Sequence, residues 1–246
     1  MRQRFVQILI VGVLSLVIGA CSTAAPKALA GFWMPKNDRE PYGQAVIDPL
    51  PKGTHILIDT GFVPELPVGD FGGLEVTQRA LDEVRNFNPS RQRSPAEACI
   101  PPSMTYVMQA PFPMELHVFP EVILIKHEYY DMVRVVFMDG RPHPPADVPH
   151  TKPGHSIGHW EGEDLVVDTT HLEPGTMLNN GFNHSENMHV VERFRVSPDG
   201  ATLWITQLYE DPDVFKGRAA RYITFKRGPA DSYVYPFDCV PDYSSE

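Results

Sequence analysis

Apolar residues recur in short runs through the second half of the chain, and several runs alternate between apolar and polar positions. Between residues 132 and 138, for example, Val133, Val135 and Phe137 share one side while Arg134 interrupts the other. A period of two is typical of β-strands. Eight runs qualify as strands: Met114–Phe119, Val122–Tyr130, Met132–Met138, Ser156–Glu161, Leu165–Leu172, Met188–Val196, Thr202–Tyr209 and Arg221–Phe225.

Turn-forming residues separate these runs. The segments Asp139–Gly140, Glu161–Asp164 and Ser197–Gly200 have the composition of hairpin connections. Sequential strands joined in this way predict a mainly β fold, in which an antiparallel meander closes into a lipocalin-like barrel or packs as a β-sandwich. We favour the barrel because closure removes the exposed sheet edges.

The stretch before the strands predicts one short N-terminal helix. Apolar positions recur at helical spacing between residues 74 and 88, and Pro89 ends the pattern. The apolar positions are Val76, Ala80, Leu81, Val84 and Phe87. Residues 21–73 are rich in proline and glycine, with one strand-like run at His55–Asp59, and predict a lipid-anchored tether and an irregular wrap. Residues 74–246 then form a single β-rich domain.

Residues 1–20 have the pattern of a signal peptide. Two arginines precede an apolar, uncharged run from Phe5 to Ala20 that is too short for a comfortable bilayer span. The run ends in Ile18-Gly19-Ala20-Cys21, which resembles the lipobox of bacterial lipoproteins and implies acylation of Cys21. An ordinary secretory signal with an incidental cysteine is the alternative. We expect a protein of the cell envelope, held by lipid on the periplasmic face of the outer membrane.

Charge and cysteine content limit the possible partners of the protein and indicate its redox compartment. The chain has 21 basic and 31 acidic residues; loss of Arg2 and Arg4 with residues 1–20 leaves 19 basic residues and a net charge of −12. Such a surface repels phosphate backbones, so we expect no nucleic-acid partner and membrane contact only through the anchor. Cys99 and Cys239 remain as an even pair in an oxidising compartment, which predicts a disulfide; two buried free thiols are the alternative.

Glu192 is the side chain that most suggests a site. With a period of two, it shares a face with Val190 and Phe194. A carboxylate that faces a barrel interior must find a partner or take up a proton. Arg134 is the natural partner, and a purely structural ion pair is as compatible with the pattern as a functional one. Asp168 is a weaker candidate for the same choice between a structural and a functional carboxylate.

The loop that follows Asp139 carries further candidate chemistry. It contains five prolines, at positions 142, 144, 145, 149 and 153, and is therefore stiff. Such a loop is suited to hold Arg141, His143 and His150 over a barrel mouth. The glycine-rich segment His155–Glu161 comes next, and its Trp160 is expected in the core or in a cavity wall.

Two other chemistries fit the spacing poorly. Gly154-His155-Ser156-Ile157-Gly158 matches the GxSxG motif of serine hydrolases, but it lies between β runs instead of between a strand and a helix. Glycines at a crowded strand are the better explanation. His155 and His159 would lie on the order of 13 Å apart on a strand, too far to share one metal ion. We predict no metal and no cofactor, while histidines from separate strands leave a metal site open.

Several of these segments resemble a widespread family of exported bacterial proteins. The motifs are DGRPHP, GHSIGHWEGEDLVVDTT and HSENMHVVERFR, together with Cys99-Ile-Pro-Pro and Pro113-Met-Glu-Leu. The likeness runs from Cys99 to Cys239, and the motifs are long and specific. It implies a fold and agrees with the predicted disulfide, but brings no reaction mechanism.

The sequence therefore predicts a barrel cavity that binds a small, partly apolar ligand in the periplasm. The predicted ligand-binding residues are Arg134, Arg141, Trp160, Asp168 and His189. An enzyme of lyase or hydrolase type is the alternative, with general acid–base chemistry by His143, His155 and Glu192. An envelope scaffold that binds protein is weaker, because the motifs lie in loops and turns and not on an exposed apolar strip.

Overall fold

A computed structural model describes residues 29–36, 49–57, 66–88, 99–178 and 180–239. The predicted signal peptide and Cys21 lie outside these residues. The described chain is mainly β, as predicted, with two short helices, α1 (Gln78–Arg85) and α2 (Met104–Val107). Its strands are β1 Gly31–Pro35, β2 His55–Ile56, β3 Met114–Val118, β4 Val122–His127, β5 Val133–Phe137, β6 His155–Glu161, β7 Asp164–Thr170, β8 Gly175–Leu178, β9 Phe182–His184, β10 His189–Val196, β11 Thr202–Glu210 and β12 Ala219–Arg227.

Nine of these strands form a closed barrel. The order around the barrel is β1, β3, β4, β5, β6, β7, β10, β11 and β12, and β12 pairs back with β1. The short β2 adds in parallel to the start of β12, and β8 pairs with β9 in a separate hairpin. All eight strands predicted from alternation are present, with ends shifted by a few residues. The barrel prediction is confirmed.

The strand that closes the barrel was not predicted. The sequence suggested an irregular wrap for residues 21–73, but Gly31–Pro35 form β1 between β3 and β12. Trp33 is fully buried on this strand, and its indole Nε1 donates to the Leu29 carbonyl at 2.9 Å. This strand has only five residues and ends at Pro35, so its sequence shows no clear two-residue period. Its position therefore depends on tertiary pairing.

The connection between β5 and β6 also differs from the prediction. The two strands are parallel, with Val136 opposite Ser156, so Asp139–Gly140 does not join a hairpin. The proline-rich residues 138–154 instead return along the outside of the barrel. This path brings His143 of the loop against the outer faces of β6 and β7, where His155 and Asp168 lie.

One end of the barrel is covered by the segment that contains α2. All four residues of α2 are buried, and Gln109, just after the helix, donates to the hydroxyl of Tyr209 inside the barrel at 3.4 Å. The other helix, α1, is shorter than predicted because Val76 is held in a β-bridge with Phe215. Among the described residues, no helix is long and apolar enough to cross a membrane.

Cys99 and Cys239 form the predicted disulfide. It connects the segment before α2 to the C-terminal segment, where the Phe237 backbone N–H donates to Asp131 at 3.1 Å. The bond closes a loop with a sequence separation of 140 residues. Long loops lose much conformational entropy in the unfolded state when they are cross-linked.

We expect Cys239→Ser to lower the free energy of unfolding by about 2–4 kcal/mol, because the unfolded chain regains the freedom that the cross-link removes. Denaturant unfolding of the purified chain, before and after reduction, measures the difference. Cys99→Ser should give the same loss. An unchanged unfolding midpoint in both variants would show that the disulfide contributes nothing to stability.

Candidate functional site

The residues predicted to share one cavity lie in two groups on opposite faces of the barrel wall. Arg134 and Glu192 point into the barrel and are 1% and 0% exposed. His143, His155, Asp168 and His189 are partly exposed and contact one another on the outer surface. Strand parity explains the division, because His189 and Glu192 are three residues apart on β10 and so face opposite ways. The predicted single cavity is therefore wrong.

The interior group is a buried ion pair within a hydrogen-bond network. Arg134 Nη2 contacts the carboxylate of Glu192, as predicted from parity. The same guanidinium donates from Nε to Ser156 Oγ at 3.0 Å and from Nη2 to Thr169 Oγ1 at 2.7 Å. Gln207 Nε2 donates to Glu192 Oε1 at 2.8 Å. Partners on three further strands, β6, β7 and β11, thus hold the two charges, which is what a buried pair requires.

His127 is an interior histidine that the sequence analysis overlooked. It is 4% exposed and follows Ile123 and Ile125 on the inward face of β4. Burial, with a contribution from the positive charge of Arg134, lowers its pKa to about 3, so the imidazole is neutral near pH 7. Strand parity on β4 was the available signal. His143, His155 and His189 do not reach Glu192, because the barrel wall lies between them and this carboxylate.

Ser156 is not a hydrolase nucleophile in this structure. It is fully buried and hydrogen-bonds to Thr169 at 2.9 Å and to Arg134. Asp168 and His189, which would complete a triad, lie on the outer face. Gly158 is needed for packing, since a Cβ there would lie 2.7 Å from Met138 Sδ. Trp160 packs against the core near the β6–β7 turn, away from both groups.

The outer group is a chain of hydrogen bonds that starts from one carboxylate. Oδ1 of Asp168 lies 2.8 Å from Nε2 of His189 and 3.1 Å from Nε2 of His143. The second ring nitrogen of His143, Nδ1, lies 2.9 Å from Nδ1 of His155. Strands β6, β7 and β10 place three of these residues, and the proline-rich loop places His143. We call His143, His155, Asp168 and His189 the outer-wall cluster.

The hydrogen positions in this cluster follow from the acceptor at its centre. An ionised carboxylate only accepts, so both Nε2 atoms that contact Asp168 carry hydrogen. In the state in which His143 is neutral, its Nδ1 has a lone pair and His155 donates to it from its own Nδ1. In this state the Nε2 atom of His155 is a free base. Within the described residues this atom has no hydrogen-bond partner.

Phe137 and Arg141 support His155 from one side. The Phe137 ring stacks on the His155 ring with centroids 5.2 Å apart, and the Arg141 guanidinium lies 3.9 Å from the Phe137 centroid. Arg141 is held in turn by Asp139, with Nη2 and Oδ2 separated by 2.6 Å. Phe137 was not among the predicted site residues. Its role depends on the parallel pairing of β5 and β6.

The pKa shifts of the cluster point in opposite directions. Burial lowers the pKa of His155 below its ordinary 6.5, and repulsion from Arg141 and from the protonated forms of His143 and His171 lowers it further. The hydrogen bond to Asp168 raises the pKa of His189 above 6.5, although burial opposes this. Burial alone would raise the pKa of Asp168, but the hydrogen bonds and charges of His189 and His143 lower it. Such divergence is typical of acid–base sites, although structural networks also produce it.

We expect Asp168→Asn to lower the pKa of His189, because the substitution removes the charge and the acceptor that raise it. Titration of the histidine ring resonances by NMR measures the change. His159→Gln is the matched control, since His159 lies on the same outer face of β6 and its side chain is 62% exposed. An unshifted His189 titration in Asp168→Asn would contradict the hydrogen-bond assignment.

The outer-wall cluster adjoins an open pocket of about 430 Å³. Glu210 connects the two, because its Oε2 lies 3.8 Å from His189 Nδ1 and the residue lines the pocket. The pocket residues are Glu210, Asp211, Pro212, Phe215, Lys216 and Gly217. This volume is within the range of small-ligand pockets.

No group of three or more histidine, cysteine, aspartate or glutamate side chains in the described part of the chain is arranged to hold a metal ion. The cluster agrees with this, since His143 directs its two ring nitrogens to different partners. Comparison of the chain with models of protein families and with curated proteins gave no match. The functional assignment therefore depends on the geometry of the site.

Proposed function

We propose that the chain binds a small, partly apolar ligand at the outer-wall cluster and exchanges protons with it. The observation that carries the proposal is the chain of contacts from Asp168 through His143 to His155. It orients one imidazole with a carboxylate and leaves the ring nitrogen of another as a free base at the surface. A positioned base of this kind is the usual agent of general acid–base catalysis.

The surroundings of His155 support a ligand with two kinds of surface. On one side, β5 presents Val133 and Val135 outward, 46% and 38% exposed, followed by Phe137. On the other side, β7 and β10 present Asp168 and His189. The boundary between the apolar and polar parts of the wall passes through His155. A ligand with an apolar portion and a hydrogen-bonding head would match both parts.

The divergent pKa values support a reaction of lyase or hydrolase type. His155, with a lowered pKa, is the base, and His189, with a raised pKa, is the acid that donates a proton. Asp168 and His143 act as positioning residues. Glu192, which the sequence suggested as a proton donor or acceptor, has no part in this proposal because it faces the interior.

We place this activity outside the cytoplasm, with the chain anchored by lipid at Cys21 in the cell envelope. The basis is the signal-peptide pattern of residues 1–20, the lipobox-like Ile18–Cys21 and the motifs shared with exported bacterial proteins. The disulfide agrees with an oxidising compartment.

Ligand co-purification tests the proposal. The full chain is extracted from membranes with detergent and its bound small molecules are identified by mass spectrometry. We expect the wild type and His159→Gln to retain the same compound, and Asp168→Asn to lose most of it, because the cluster loses its central acceptor. Equal retention in Asp168→Asn would contradict binding at the outer-wall cluster. Retention without turnover would show binding only.

A further inference from the structure

The barrel interior contains three polar atoms that have no hydrogen-bond partner among the described residues. They are Nη1 of Arg134, Nε2 of His127 and Oε1 of Gln109. The three residues are 1%, 4% and 7% exposed, so bulk water does not reach them. Buried polar atoms in folded proteins are nearly always hydrogen-bonded, either to protein or to a bound molecule. These atoms therefore identify where a molecule is held inside the barrel.

Two of these residues, Gln109 and Arg134, belong to one hydrogen-bond network inside the barrel. Gln109 donates to the Tyr209 hydroxyl, which donates to Gln207 Oε1 at 2.6 Å. Gln207 continues to Glu192, and Glu192 pairs with Arg134. The unpartnered oxygen thus lies at one end of the network, and the unpartnered guanidinium nitrogen lies at the other.

His127 joins this network through its place on β4. Ile125 lies directly opposite Arg134 in the β4–β5 register, and His127 is two residues further along on the same inward face. Diagonal neighbours of this kind are within reach of long side chains. The charge of Arg134 contributes to keeping the imidazole neutral. A neutral ring offers one donor and one acceptor nitrogen.

The three atoms together specify the chemistry of the bound molecule. The guanidinium nitrogen requires an acceptor, and the Gln109 oxygen requires a donor. A hydroxyl group supplies both. An anion at Arg134 fits poorly, because Glu192 already neutralises this guanidinium and its carboxylate would repel a second negative charge beside it.

We propose that the barrel interior holds small neutral molecules bearing hydroxyl groups at the two ends of this network, one of them hydrogen-bonded to both Arg134 and His127. Water is the smallest molecule of this class, and an alcohol or a polyol is a larger one. The site is separate from the outer-wall cluster, because Arg134 and the cluster lie on opposite faces of the wall. Its occupant belongs to the internal hydrogen-bond network and is not the ligand of the cluster.

An atomic-resolution crystal structure tests this inference, with crystals grown without alcohols or polyols. We expect electron density at about 2.7–3.2 Å from both Arg134 Nη1 and His127 Nε2. A single peak assigns water. Larger density, with a matching mass increment in native mass spectrometry, assigns an alcohol or polyol. Hydrogen bonds from these two atoms to protein groups, or no density near them, would overturn the proposal.

Variants identify the contacts. We expect His127→Leu to remove or displace the density, because the occupant loses one of its partners. His117→Leu is the control, since His117 lies on the outer face of β3 with its side chain 45% exposed, and there the density should be unchanged. Gln109→Leu repeats the test from the other end of the network if His127→Leu does not fold. Unaltered density in both interior variants would contradict the assignment.

Discussion

We expect Glu192→Gln to lower the free energy of unfolding by about 3–5 kcal/mol, because it leaves the guanidinium of Arg134 charged and buried without its counter-ion. Both side chains are almost completely inaccessible to solvent. Ser156 and Thr169 accept from Arg134 but carry no charge, so they do not replace the carboxylate. Thermal or denaturant unfolding measures the loss.

Glu161→Gln is the matched control for this substitution. Glu161 also pairs with an arginine, Arg193, but its side chain is 49% exposed on the outside of the barrel. Exposed ion pairs contribute about 0–1 kcal/mol, so its loss should be small. Equal losses in the two variants would show that burial of the Arg134–Glu192 pair has no special importance.

The double variant Arg134→Met/Glu192→Leu separates the cost of an isolated charge from the value of the pair. Replacement of both charges by apolar side chains is often close to neutral, although Gln207 here loses an acceptor. We therefore expect the double variant to recover a large part of the stability lost in Glu192→Gln. A double variant as unstable as the single one would mean that the hydrogen bonds, and not the charges, dominate this network.

Local pattern was sufficient to predict the interior pair. Alternation placed Glu192 between two apolar neighbours on one face of β10, and the same argument placed Arg134 on the inward face of β5. Because β6 and β7 separate their strands, the two side chains meet across the barrel interior. His127 follows the same parity on β4 and was equally predictable. The two-residue period carries this information because it depends only on strand geometry.

The members of the outer-wall cluster were predicted from the sequence, but their position together on the outer surface was not. Its members come from three strands and a long loop, and their meeting depends on the parallel pairing of β5 with β6. The sequence predicted that a stiff loop holds His143 over a barrel mouth, whereas the loop holds it against the outer wall. The closing strand β1 was missed for a related reason. Pairing between distant segments leaves little trace in the local pattern.

We expect His155→Gln to reduce kcat/KM for the reaction of the co-purified ligand by about 10²–10⁴-fold, because the substitution removes the free base. His159→Gln should leave it unchanged. Since the pKa of His155 is lowered and that of His189 is raised, the rate should increase with pH through a pKa below 6.5 and decrease through a second pKa above 6.5. Asp168→Asn should move the decreasing limb to lower pH. A single-limbed or flat profile would contradict the assignment of the two roles.

The most direct measurement of the central claim is an NMR titration of the histidine ring resonances with the co-purified ligand. If the ligand binds at the outer-wall cluster, the resonances of His155 and His189 shift in proportion to occupancy while that of buried His127 stays in place. A shift of His127 with His155 and His189 unchanged would place the ligand inside the barrel and contradict the account.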